Sequence, residues 1–211
     1  MRCRYCDTPD SLERGDGFVV HSASGSTAYA NPIEPRAVVA IVAHLIETEG
    51  PIDAISLTGG EPLTQPQFLF DFLRAAHFAV PVMLETAGVL PKPLATVLPH
   101  IDVVSMDIKL PTNTGEPAFW DEHAKFLELA VTKDLYVKIL VDDATTNDGF
   151  ERALELLERY PTIPVFLQPV MSASAEPTIG MARLGALQCL ARRRLARVRV
   201  VPQVHKFLKI R

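Results

Sequence analysis

The chain opens MRCRYCDTP, in which Cys3 and Cys6 are separated by two residues and followed at once by Asp7 and Thr8. Thiols at this spacing can clip a zinc ion, shuttle electrons as a dithiol, or hold part of an iron-sulfur cluster. A structural zinc site needs a second Cys or His pair, and none stands at suitable spacing in the sequence. A thioredoxin-like dithiol belongs at a strand-to-helix junction, whereas the Pro-, Gly- and Ser-rich residues after Cys6 offer no immediate helix. The pair alone leaves these readings open, and the rest of the chain must decide among them.

A second stretch able to do chemistry is SLTGGEPLTQ. Gly59 and Gly60 at a strand end let the backbone approach a ligand, and the Glu61 carboxylate can accept hydrogen bonds from an amine held there. Alone, Gly-Gly-Glu-Pro is equally an ordinary turn before a helix. Asp107 and Lys109 alternate in VSMDIK and admit two readings, a buried salt bridge or ligand contacts. Glu85 admits two as well, one of them a cap on the next turn. His205, between Gln203 and Lys206, is either a satisfied core histidine or a group facing a ligand. His123, Trp120 and Phe126, at helical spacing in AFWDEHAKFLELA, read as packing. His21, His44, His77 and His100 are scattered.

These residues must be positioned by an alternation of short and long elements. DAISLTGG, VPVMLETAG, DVVSMDIKLP, LYVKILVD, IPVFLQPV and RVRVVPQ read as strands rich in Val, Ile and Leu, as fully buried parallel strands are. EPRAVVAIVAHLIETEG, QPQFLFDFLRAAH, AFWDEHAKFLELAV, NDGFERALELLERY and PTIGMARLGALQCLARRRL carry three-and-four-residue apolar spacing, with Asn147 as an N-cap. LPKPLATVLPHI is long enough for one or two helical turns. Asp10 to Pro35 reads as a long loop. The fold class is α/β with a parallel sheet, open or curved into a partial (β/α) barrel, in a single domain over residues 1–211. The polar and glycine-rich residues cluster where strands end: Thr58 to Glu61, Glu85, Thr86 and Gly88, Asp107 and Lys109, Gln168, then Gln203 and His205. The carboxyl edge of such a sheet is where ligands bind, so these groups should converge.

Composition bounds the partners. At 211 residues, 48% hydrophobic and 22% charged, the chain can bury a real core. Its net charge of −4 supplies no general field toward nucleic acid or an anionic membrane. The basic run ARRRLARVRV reads as a solvated helix end entering a strand. Three cysteines make no secreted disulfide framework, Cys189 in its helical run reads as a small core residue, and no leader or bilayer-length apolar run is visible. A cytoplasmic location is expected.

Taken in order, YCDT, SLTGGEPL, LETAG, VSMDIK, LQPV and PQVHK resemble the radical S-adenosylmethionine (SAM) superfamily and, within it, the 7-carboxy-7-deazaguanine synthase family. The resemblance runs from Cys3 to the C-terminus. It implies a partial barrel lacking its first strand, a homodimer, a 4Fe-4S cluster, SAM and Mg2+, a small-molecule pterin substrate, and an electron donor such as flavodoxin or ferredoxin. The implied reaction contracts a carboxytetrahydropterin ring to a deazaguanine, with loss of ammonia. A radical SAM glycyl-radical activating enzyme and a catalytically dead scaffold are the competing readings; the PQVHK tail favours the pterin enzyme.

Carried over by position, the resemblance gives Cys3 and Cys6 to the cluster and Thr8 to magnesium. Tyr5, Cys6, Asp7, Gly59, Gly60, Glu61, Asp107, Ile108, Lys109, Gln168, Pro169, Val170 and Met171 fall to SAM. Thr58, His205 and the terminal carboxylate on Arg211 fall to the substrate, with His205 the catalytic candidate. The family's loop has another cysteine four residues ahead of Cys3, a position before Met1, and the family's opening strand and Gln-Gly-Glu stretch are also missing from this chain. Two thiolates hold a cluster poorly, so the chain as given is expected to be weak or inactive, through either a start placed too late or a true truncation.

Overall fold

The computed structural model describes residues 3–6, 11, 13 and 15–208. The first element is a hairpin of β1 (Gly17–Ser22) and β2 (Gly25–Ala30), antiparallel around a two-residue turn. This corrects the expectation of a long loop. Its signal is weak because β2 is built of small residues and faces solvent almost throughout, so no apolar period marks it. Phe18 stacks on Tyr29 across the ladder at 5.4 Å between centroids, and His21 Nδ1 lies 2.8 Å from the Ser26 hydroxyl.

Helix α1 (Pro35–Glu49) and strand β3 (Ile55–Leu57) follow, then α2 (Pro66–Ala75), β4 (Val82–Thr86), α3 (Pro91–Val97), β5 (Val103–Ile108), the single-turn α4 (Pro111–Thr114), α5 (Trp120–Ala130) and β6 (Asp134–Val141). The chain continues through α6 (Asn147–Leu157), β7 (Val165–Pro169), α7 (Met181–Arg194), β8 (Val198–Val200) and α8 (Val204–Leu208). Proline opens α1, α2, α3 and α4, where its missing N–H costs nothing. The cap of α6 is Thr146, whose hydroxyl accepts the Gly149 N–H, and not Asn147 as the spacing suggested; the Asn147 amide oxygen instead accepts from Arg183 at 2.8 Å.

The six later strands form one parallel sheet in the order β3-β4-β5-β6-β7-β8, each strand beside the next in sequence. That order is what repeated βα units produce, and β3 and β8 are its two edges. One face, carrying Leu84, Val104, Met106, Ile108, Val137, Ile139, Val165 and Leu167, is sealed by helices. The helices meet it through regular stripes, such as His123, Phe126, Leu127 and Ala130 on α5 and Phe150, Ala153, Leu154 and Leu157 on α6.

The other face departs from the expectation of fully buried apolar strands. The register Glu85↔Ser105↔Tyr136 and Asp107↔Lys138↔Phe166 aligns polar and aromatic side chains across four strands. This face is the wall of a cavity.

Arg192 to Arg194 form the basic last turn of α7, which suits a helix C-terminus, and the chain then enters β8 as the sequence suggested. Cys189 is exposed on α7, which corrects its reading as a core residue: the inward positions there are Leu184, Leu187 and Ala191.

Candidate functional site

A cavity of about 650 Å3 opens at the carboxyl edge of the sheet. Of the residues singled out from the sequence, Cys3, Tyr5, Cys6, Thr58, Gly59, Gly60, Glu61, Glu85, Thr86, Asp107, Lys109, Gln168, Gln203 and His205 line it. The two thiols and the Gly-Gly-Glu turn therefore face the same space. Ile108, Val170 and Met171 are buried, with Ile108 in the core, and neither they nor Pro169 reaches the cavity wall. Asp7, Thr8 and Arg211 lie outside the described residues. Sequence reasoning passed over Ala87, Tyr136, Lys138, Leu140, Phe166 and Val201, all of them on the wall. For Lys138 a signal existed: a lysine inside the apolar run LYVKILVD has to point away from the core or find an ion partner.

The carboxylate of Glu61 is held from three sides. Its Oε1 accepts the Leu63 N–H at 3.2 Å and the Thr86 hydroxyl at 2.9 Å, and its Oε2 accepts the Ala87 N–H at 2.8 Å. A carboxylate has about four lone-pair directions, so one remains for a donor in the cavity. Burial raises the Glu61 pKa against the lowering effect of these bonds. Gly59, at φ 130°, holds a conformation that a side chain would strain at the point where the chain passes the cavity.

Below Glu61 lies a charged floor. The Lys109 ammonium donates to Asp107 at 2.8 Å, and Lys138 bridges Asp107 at 3.2 Å and Glu85 at 3.1 Å. Ser56 also donates to Glu85. Burial opposes ionisation of Asp107, but the two ammonium groups outweigh it and hold its carboxyl below the usual range. Of the two sequence readings, the salt bridge is thus present, in residues that also wall the cavity. Glu85 is an ion-pair partner, not a turn cap.

The thiol loop is attached more lightly. The Arg4 N–H donates to the Thr114 carbonyl at 3.2 Å and the Cys6 N–H to the Cys3 carbonyl at 3.1 Å. The Arg4 side chain lies over Gly115, a left-handed residue at φ 77° where a Cβ would come within 2.7 Å of the guanidinium. Lys109 sits 5.7 Å from the Tyr5 ring centre, a cation-π contact that links loop and floor. Burial pushes the Cys3 thiol pKa up, and Lys109 opposes it.

Comparison with known proteins gives this arrangement its family. The radical SAM superfamily model matches residues 1–159. A 7-carboxy-7-deazaguanine synthase from Geobacter sulfurreducens is 36% identical over 99% of this chain and 85% of its own, and one from Methanopyrus kandleri is 34% identical over 99% and 81%. The chain belongs to the radical SAM superfamily, in its 7-carboxy-7-deazaguanine synthase family. A domain of pyruvate-formate lyase-activating enzyme from Bacteroides vulgatus superposes with a TM-score of 0.56, at 18% identity, over 70% of this chain and 98% of that one. That likeness shows a shared fold and leaves the activating-enzyme reading without further support.

Radical SAM enzymes use a 4Fe-4S cluster and SAM. The residues present fit both in kind: two free thiols and a carboxylate with one acceptor position to spare share one cavity. In number the thiols supply two of the three thiolates that leave one iron open, since the third cysteine, Cys189, is on exposed α7 away from the cavity. No group of three metal-ligating side chains occurs among the described residues.

Proposed function

We propose that this radical SAM enzyme carries out the reaction of its synthase relatives, contracting 6-carboxy-5,6,7,8-tetrahydropterin to 7-carboxy-7-deazaguanine with loss of ammonia, for the biosynthesis of queuosine and related 7-deazapurines. The observation that carries this reading is the meeting of Cys3 and Cys6 with Gly59 to Glu61 and His205 around one cavity. When bound, the cluster would deliver an electron to SAM and so supply one-electron chemistry able to take a hydrogen atom from the substrate.

The chain's own residues then have separable tasks. Cys3 and Cys6 would hold the cluster as thiolates. The free acceptor position of Glu61 would receive the SAM amino group, with Tyr5 and the glycines against its body. Asp107 and Lys109, paired on the floor, would present a fixed polar surface to the nucleoside. Thr58 and His205, at opposite edges of the sheet, would bracket the pterin, and the Tyr136–Phe166 edge-to-face pair at 5.6 Å offers a flat ring an apolar wall. Thr8 as a magnesium ligand, Arg211 as a substrate contact, a flavodoxin- or ferredoxin-type electron donor, a homodimer, one domain over residues 1–211 and a cytoplasmic location belong to the same proposal. A partner list without nucleic acid or membrane belongs to it too, the negative net charge supplying no general attraction to either polyanion.

The test is anaerobic reconstitution with iron and sulfide, followed by incubation with a reductant, SAM and the carboxytetrahydropterin under mass spectrometry. Formation of the deazaguanine, diminished by His205→Ala, is expected. SAM cleavage without conversion of the pterin, by a chain that has taken up a full cluster, would refute the substrate.

A further inference from the structure

His123 is fully buried on α5, one turn before Phe126 and Leu127, at a place where an apolar side chain would fill the core stripe at no polar cost. Its Nε2 lies 3.2 Å from the Ala87 carbonyl oxygen. Its Nδ1 is buried with no hydrogen-bond partner among the described residues. A carbonyl only accepts, so Nε2 carries the proton, and the ring donates this one bond as a neutral imidazole. Burial, opposed by the bond to Ala87, keeps the ring uncharged by holding its pKa down at about 4. Glu122, Lys109 and Asp107 are the charged groups that act on the ring, and none of them shares its proton.

The residue it grips is the one that grips Glu61. The Ala87 N–H donates to Glu61 Oε2 at 2.8 Å while the Ala87 carbonyl receives His123. Thr86 donates its hydroxyl to Glu61 Oε1 and accepts the Gly88 N–H at 3.2 Å. Gly88, at φ 66°, lies against Met106 so closely that a Cβ would stand 2.5 Å from its terminal methyl. The turn after β4 is therefore a bracket for the Glu61 carboxylate, and His123 ties that bracket to the helical layer.

We infer that His123 is a positioning residue, which fixes the Glu61 carboxylate at the cavity wall by holding Ala87 in the orientation that aims its N–H at Oε2. This rests on the reading of Glu61 as the acceptor of the SAM amino group. Without the His123 bond the Ala87 carbonyl, in a half-buried residue, loses this donor, and the residue is freer to turn. The N–H then leaves Oε2, the carboxylate loses a bond that favours its charged form, and its grip on a cationic amine weakens.

The test compares His123→Phe, which keeps the ring volume and removes the donor, with His123→Gln, whose amide N–H can restore it, in the 211-residue chain. Amide hydrogen exchange of Ala87 reads the tie directly and needs no cofactor. In His123→Phe, protection of Ala87 should fall about tenfold while Val104 and Val137 keep theirs, and in His123→Gln it should stay near the native value. Affinity for S-adenosylhomocysteine by calorimetry should weaken about fivefold in His123→Phe, with its acid limb moved to higher pH, and Glu61→Gln should weaken it further and abolish the effect of His123→Phe. Unchanged Ala87 protection in His123→Phe overturns the inference. Lost protection combined with a Glu61→Gln variant of native affinity leaves the tie in place and overturns the role of Glu61 instead. If His123→Phe does not fold, His123→Asn decides: its shorter amide cannot span the distance, so native Ala87 protection in that variant overturns the inference.

Discussion

The carboxylate seat and the thiol loop face the same cavity, yet they are held in opposite ways. Glu61 takes three hydrogen bonds from groups fixed by a buried strand and its turn, with a core histidine behind them. Among the described residues, the Cys3–Cys6 loop shows two backbone hydrogen bonds and half-buried thiols, and the core cluster includes none of its residues. A seat built into the core can select a ligand without rearranging. The loop's described side-chain contacts, Arg4 over Gly115 and the Tyr5 ring by Lys109, tie it to the neighbouring elements instead of to the core.

The largest effect separating the two regions should come from the loop. Cys6→Ser should abolish iron uptake after anaerobic reconstitution and leave the unfolding free energy within about 0.5 kcal/mol of native. Retained iron in Cys6→Ser would show that the loop is not the cluster site.

On the seat's side, Asp107→Asn should cost about 3 kcal/mol at pH 7 in denaturant unfolding, because two lysines lose their shared partner. The folded pKa of Asp107 is depressed, so its contribution is present above the unfolded value and is lost as pH falls through the folded one. The gap between native and variant should therefore close below about pH 4. A gap independent of pH would mean that the ion pairs carry little of the effect.

Gly88→Ala should destabilise by about 2 kcal/mol, since it adds a side chain at positive φ against Met106. It should also weaken S-adenosylhomocysteine binding, since the turn it distorts carries the Glu61 carboxylate's partners. Arg4→Ala, at the exposed loop, should change the melting free energy by less than about 0.5 kcal/mol. An effect as large as that of Gly88→Ala would show that the loop is more firmly built than its contacts suggest.

Much of the scaffold was legible because its signals are local. All six parallel strands announced themselves as short β-branched runs, and the stripes on α2, α5 and α6 follow the helical period. The β1–β2 hairpin did not, having no sustained apolar face. Tyr136 and Lys138 escaped notice because alternation within one strand does not say which face is roofed by helices and which lines a cavity. His123 looked like packing because the stripe it belongs to is packing, and its partner is a backbone carbonyl 36 residues away.

The sequence by itself determined the order of strands and helices, the glycines and prolines that end them, and the set of chemical groups at the strand tips. These depend on neighbours a few residues apart, and the chain carries that information directly. Only the tertiary structure decided that Asp107 meets Lys138, that Ala87 joins Glu61 to His123, and that the thiols confront the Gly-Gly-Glu turn. Each of these depends on register and on the packing of distant segments, where a one-residue slip turns every side chain of a strand to the opposite face.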